Sequence, residues 1–164
     1  MSQTINLQKG LEAYYTFDDA DYDAQRNIIR DRSGHGRHGE LRGGITTGSE
    51  SPVGGAFSPD GSDDYVFLPY GDGLDLTGDM SMAVLFKYKS TGNIDGLVGR
   101  DNNTSDPYTL YKQSNGSIRT DVNTSDDWFD VVSSTGLSEG WHLATVVRDD
   151  DKKLLSLSMD AKTP

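Results

Sequence analysis

Three stretches of this 164-residue chain hold side chains suited to chemistry. In "FSPDGSDDYVFLP" (57–69), three carboxylates crowd a turn that runs into an aromatic and aliphatic segment. Asp60-Gly61 alone satisfies a turn, because glycine adopts positive φ angles and aspartate hydrogen-bonds the backbone that follows it. Asp63 and Asp64 are surplus to that need; they either solvate an exposed corner or bind something cationic. The other two stretches, "GRDNNTSDPY" (99–108) and "NTSDDWFD" (123–130), mix aromatic rings with amides, carboxylates and a guanidinium. Sugars are held by that mixture, a flat ring for stacking and planar polar groups for hydroxyls. Arg100, Asn102, Asp106, Tyr108, Asp127 and Trp128 are the candidates. The competing reading makes Trp128 and Phe129 strand residues, one ring in the core and the other partly exposed.

Other patterns fail on inspection. "DDADYDAQRNIIR" spaces Asp19, Asp21 and Asp23 like a helix-loop-helix calcium loop, but Ala24 replaces the glycine of the sharp turn and Arg30 the closing glutamate. It reads as an exposed polar loop. His35 and His38 have no third ligand nearby for a transition metal. The Gly-rich "LRGGITTGSESPVGGAF" lacks the Gly-Lys-Ser/Thr ending of a phosphate loop and reads as a connection. Cysteine is absent, which excludes disulfides and thiolate metal sites.

The elements that must position these residues are strands. Short alternating or β-branched runs bounded by Gly, Asp, Asn and Ser recur about every ten residues, the spacing of a sandwich or barrel. They predict strands over 11–17, 28–31, 39–42, 65–69, 81–89, 96–100, 108–112, 117–122, 128–133, 141–148 and 153–159. Residues 149–152 form a solvated hairpin tip. In the strand before that tip, Trp141, Leu143 and Thr145 face one side and His142, Ala144 and Val146 the other, with Trp141 expected in the core. The length suits one domain, 11–164, after an N-terminal extension over 1–10.

The net charge is −11, with 26 acidic residues against 15 basic ones. Aspartate dominates, which fits a turn-rich β protein and also a protein of saline surroundings, a halophilic trait. An acidic surface without a Lys/Arg stripe repels phosphate backbones, so no nucleic acid is expected as a partner. The N-terminus lacks the pattern of a signal peptide, and no stretch reaches the ~18 apolar residues of a membrane span.

Four segments in order, "LEAYYTFDD", "IRDRSGHGRHGEL", "GGAFSPDGSDDYVFLP" and "GWHLATVVRDDDKKLLSLSMDA", make the chain resemble the concanavalin A-like jelly roll of the laminin G-like type. The resemblance implies an all-β fold, an antiparallel two-sheet β-sandwich with Phe57, Tyr65 and Phe67 in or near the core. It implies calcium as the cation, with Asp31, Asp60, Asp63 and Asp64 as candidate ligands; ~6 to 8 oxygens would have to converge from several loops. Ala161 departs from the family's hairpin, and the usual last strands lie outside this sequence. Further subunits or a continuing chain are therefore expected to close the sandwich, since unpaired edges expose N–H and C=O groups.

The expected function is a non-catalytic, lectin-like module that binds cell-surface or polymeric glycans, on a virion capsid or tail or at an extracellular surface. The alternatives are a polysaccharide-active enzyme and a purely structural assembly protein. Catalysis is disfavoured because Glu12, Glu40, Glu50 and Glu139 are scattered and form no paired-carboxylate strand.

Overall fold

Along most of the chain β-branched and aromatic residues alternate with small and polar ones, and that period-two pattern becomes strands. The computed structural model describes residues 9–69, 73–76, 78–100, 107–123, 128–133 and 136–160. Among them the chain is all-β, with antiparallel pairings, no α-helix and one short 3-10 turn at Asp19–Asp21. Among the described residues no helix is long and apolar enough to cross a membrane. The backbone divides into two units, Met1–Gly73 and Leu74–Pro164.

The first unit holds β1 (Tyr22–Asp23), β2 (Ile28–Ile29), β3 (Gly39–Arg42), β4 (Thr46–Ser51), β5 (Gly54–Ser58) and β6 (Tyr65–Phe67). One sheet runs β1-β2-β3-β6, and β4 pairs with β5. Ile29, Leu41 and Ile45 are buried with Tyr15, Phe17, Tyr22, Phe57 and Val66 packed around them. Full burial of such a side chain contributes about 1.5–3 kcal/mol.

Two expectations change here. Residues 11–17 form no strand. Their backbone bonds go to the neighbouring turn instead: Tyr14 N–H donates to Asp31 Oδ1 at 3.1 Å and Arg32 N–H to the Tyr14 carbonyl at 2.8 Å. Phe17 then adopts φ 60°, which breaks the pleat. The Gly-rich stretch, expected as a connection, is the β4–β5 hairpin. Its glycines serve close approach, because a Cβ on Gly55 would lie 2.5 Å from the Phe17 carbonyl oxygen.

The second unit holds β7 (Met80–Tyr88), β8 (Asp95–Arg100), β9 (Tyr108–Lys112), β10 (Ile118–Asn123), β11 (Trp128–Val132), β12 (Gly140–Asp149) and β13 (Leu154–Met159). They form a four-stranded sheet, β11-β10-β9-β8, and a three-stranded one, β13-β12-β7. Phe86, Tyr88, Ala144 and Val146 of the second sheet share one core cluster with Leu110 and Ile118 of the first. The two sheets therefore pack face to face, as in a β-sandwich. The alternation along β12 is as expected, but the buried side is the one with His142, Ala144 and Val146. Trp141 is half-buried on the opposite face, a correction to its expected place in the core.

At one end of the inner face Lys112 is buried, and its ammonium meets Thr91 Oγ1 at 3.1 Å, the Asn93 carbonyl at 2.6 Å and Asp95 Oδ2 at 3.0 Å. All three ammonium protons have an acceptor. That satisfaction is what makes a buried lysine tolerable.

Candidate functional site

Residues on β8 to β11 alternate between the core and the opposite, outer face. The register sets three rows across the outer face. Gly96, Tyr111, Arg119 and Val132 align; so do Gly99, Thr109, Asp121 and Asp130; Asn123 stands beside Trp128. A bulge between Gly96 and Val98 lets both Leu97 and Val98 pack against the core. As a result β8 presents two glycines outward. A Cβ on Gly96 would meet nothing within 4 Å, and one on Gly99 only Thr109 Cγ2 at 3.8 Å. This is an exposed shelf of backbone at the sheet edge.

Beside the shelf lies a polar cluster. Arg119 Nε donates to Asp121 Oδ1 at 2.7 Å, and its Nη2 is 3.6 Å from Asp130 Oδ2. The Tyr111 hydroxyl donates to Asp121 Oδ2 at 3.2 Å. Burial, and next the Asp121 carboxylate, hold the Tyr111 phenol above its ordinary pKa, so it stays a hydroxyl. Trp128 completes the face at its far corner with 55% exposure. Its neighbour Phe129 points the other way, under the Arg148 guanidinium 5.9 Å from the ring centroid.

Such a surface can bind. A stacking ring, an amide and hydroxyl or carboxylate groups share one face, the combination that recognises sugars. Asp121 accepts two hydrogen bonds, from Arg119 and Tyr111.

The candidates named from sequence scatter relative to this face. Trp128 lies on it. Arg100 and Tyr108 do not: they pair across β8 and β9 and are 8% and 7% exposed. Arg100 Nε donates to Asp75 Oδ1 at 2.8 Å, and the Tyr108 hydroxyl donates to the Leu74 carbonyl at 2.8 Å. Both depart from the expectation that they line a sugar-binding surface, because each ends or begins a strand and its alternation turns it inward. Asn102, Asp106 and Asp127 lie outside the described residues. Sequence reasoning missed Tyr111, Arg119, Asp121 and Asp130, although their alternate spacing within strands was a usable signal.

The acidic turn brings Asp60, Asp63 and Asp64 together, with one oxygen from each within 4.8 Å of the others. Two of these carboxylates serve the turn itself. Asp64 Oδ2 accepts the Asp60 N–H at 2.8 Å, and Asp60 Oδ1 accepts the Ser62 N–H at 2.7 Å. The cluster thus brings together one oxygen from each of three carboxylates among the described residues, whereas calcium takes ~6 to 8. Asp31 stands outside the cluster. Its oxygens accept N–H bonds from Tyr14, Ser33 and Arg37 and the Ser33 hydroxyl. Burial alone would raise the Asp31 carboxyl, but these bonds outweigh it and hold it below the usual carboxylate range.

The remaining candidates are structural. His38 Nδ1 accepts the Asp31 N–H at 3.1 Å, while His35 is exposed and 4.0 Å from Glu12. Asp21, expected in an exposed loop, is 1% exposed, since the 3-10 turn folds it inward onto Arg32 and the Thr16 hydroxyl.

No family model and no curated protein matches the chain. Among solved structures it is similar to an S-layer domain-containing protein (residues 221–444) from Clostridium thermocellum ATCC 27405, at 22% identity and a TM-score of 0.43, over 92% of this chain and 69% of that one. At that score the likeness fixes neither the connectivity nor the role of this chain.

Proposed function

We propose that this chain is a non-catalytic module that binds glycans at a surface, and that it does so through the outer face of the β8–β11 sheet. A laminin G-like jelly roll is part of the same proposal. The observation that carries it is the exposed Trp128 ring beside Asn123, on the face that also holds the Tyr111, Arg119, Asp121 and Asp130 cluster. A tryptophan ring with more than half its surface in solvent is available for stacking, and the neighbouring planar groups are those that bond hydroxyls.

Per-site affinity for such a shallow face is expected in the millimolar to micromolar range, useful when many copies act together. The test is binding of multivalent, arrayed protein to a glycan array and to cells. Arrayed wild-type protein should bind and Trp128→Ala should lose at least tenfold, while Asp60→Asn, in the other unit, should bind as wild type. Equal binding by Trp128→Ala removes this face from the reading.

A further inference from the structure

We infer that the outer face of the β8–β11 sheet selects uncharged polysaccharide chains and rejects anionic ones. The inference rests on the glycan reading above and adds the charge class and extent of the ligand.

Charge comes first. Among the described residues of these four strands, Arg119 is the only cation on the outer face; Arg100 and Lys112 point into the core and are buried. Arg119 is already committed, with Nε on Asp121 and Nη2 toward Asp130. One guanidinium against two carboxylates leaves the cluster with a net charge of −1, within a chain of net charge −11. A sulfate or uronate approaching Arg119 meets both of the carboxylates already paired with it. Asp121 resists displacement, because its side chain is only 10% exposed and Tyr111 holds its other oxygen. An anionic sugar therefore meets carboxylates without a free cation to offset them.

Extent follows from the shelf. Gly96 and Gly99 leave β8 without side chains at its outward positions, so among the described residues β8 raises no wall at that sheet edge. Trp128 lies three strands away on β11, about 14 Å at the usual strand spacing. That distance suits a run of several sugar rings lying across the strands, stacked at the Trp128 end and resting on bare backbone at the other. A single terminal sugar would contact one end alone.

The experiment uses the full chain in multivalent form against neutral laminarin and galactomannan and against dextran sulfate, at 0.05 and 0.5 M NaCl. Wild-type protein should bind a neutral polymer at least tenfold more tightly than dextran sulfate, with neutral binding unchanged by salt. Asp130→Asn, at a half-exposed position, and the Asp121→Asn, Asp130→Asn pair should gain dextran sulfate binding at 0.05 M that is lost at 0.5 M. Circular dichroism of each variant checks the fold, and Asp130→Asn alone keeps the test open if the double variant unfolds. Wild-type preference for dextran sulfate, or neutral binding that collapses with salt, overturns the charge selectivity while leaving glycan binding standing. Binding of laminotriose as tight as that of the long polymers, in a form abolished by Trp128→Ala alone and indifferent to Gly96→Gln, overturns the extended site. Binding to none of the polymers overturns the glycan reading and the selectivity together.

Discussion

His142 and Asp160 are joined at 2.6 Å, Nδ1 to Oδ2, while the other ring nitrogen of His142 lies 2.7 Å from the Ser138 carbonyl oxygen. Both partners are acceptors, so a protonated ring satisfies both and a neutral ring only one. The contact ties the end of β13 to β12, because Asp160 Oδ1 also accepts the Leu143 N–H at 2.9 Å.

Stability should therefore fall as pH rises above neutrality. Burial by itself would lower the His142 pKa, but the Ser138 carbonyl and Asp160 outweigh it and raise the value above 6.5. A raised folded pKa adds stability that is fully present below the unfolded value and disappears as pH climbs through the folded one. Melting temperatures from pH 5.5 to 9 should decline over that range, and His142→Gln should flatten the decline while costing about 1–3 kcal/mol at pH 5.5. An unchanged slope in the variant would assign the effect elsewhere.

The acid limb should belong to Asp21 and Asp31. Both carboxyls lie below the ordinary 3.8, so their stabilisation is present above that value and is lost as pH falls through the folded pKa. Asp31→Asn should destabilise by about 1–3 kcal/mol, because an amide nitrogen would face backbone N–H donors. Asp63→Asn, on an exposed corner, should shift stability by less than ~0.5 kcal/mol. Chemical denaturation of the two variants at pH 7 makes the comparison.

Leu110→Ala should cost about 2–5 kcal/mol, since Leu110 is wholly buried between the sheets of the second unit. Trp128→Ala should cost less than ~1 kcal/mol, as its ring is mostly in solvent. Equal losses in urea titrations would mean that Trp128 is packed and unavailable for stacking.

Salt should raise the melting temperature by screening the net charge of −11, as the Debye length falls from ~10 Å at 0.1 M to ~3 Å at 1 M. At matched ionic strength calcium and magnesium should act alike, because Asp60 and Asp64 already spend oxygens on backbone N–H groups. A calcium-specific rise abolished by Asp63→Asn would place an ion on the turn.

Strands were the legible part of this sequence. The run at 108–112 is β9 and that at 39–42 is β3, because alternation is a local property that the register of a sheet does not alter. The run at 11–17 misled because its side chains alternate like a strand while its backbone bonds go to the Asp31 turn, a long-range choice. The β4–β5 hairpin was hidden for the opposite reason: its glycines answer to Phe17 and Asp18, far away in sequence. At the candidate site, aromatic and amide groups singled out the stretches 99–108 and 123–130. Which face of a strand meets the core depends on the partner sheet, so the inward turn of Tyr108 and the outward one of Trp128 could not be told apart locally.

The Lys112 ammonium sits where many loops hold a dissolved ion, among a hydroxyl, a carbonyl and a carboxylate of residues 91–95. Being covalently attached, this cation has a fixed local concentration: dilution cannot remove it and a chelator cannot extract it. The 91–95 loop should keep its hydrogen-exchange protection in EDTA and lose it in Lys112→Met, a variant that no added salt can repair.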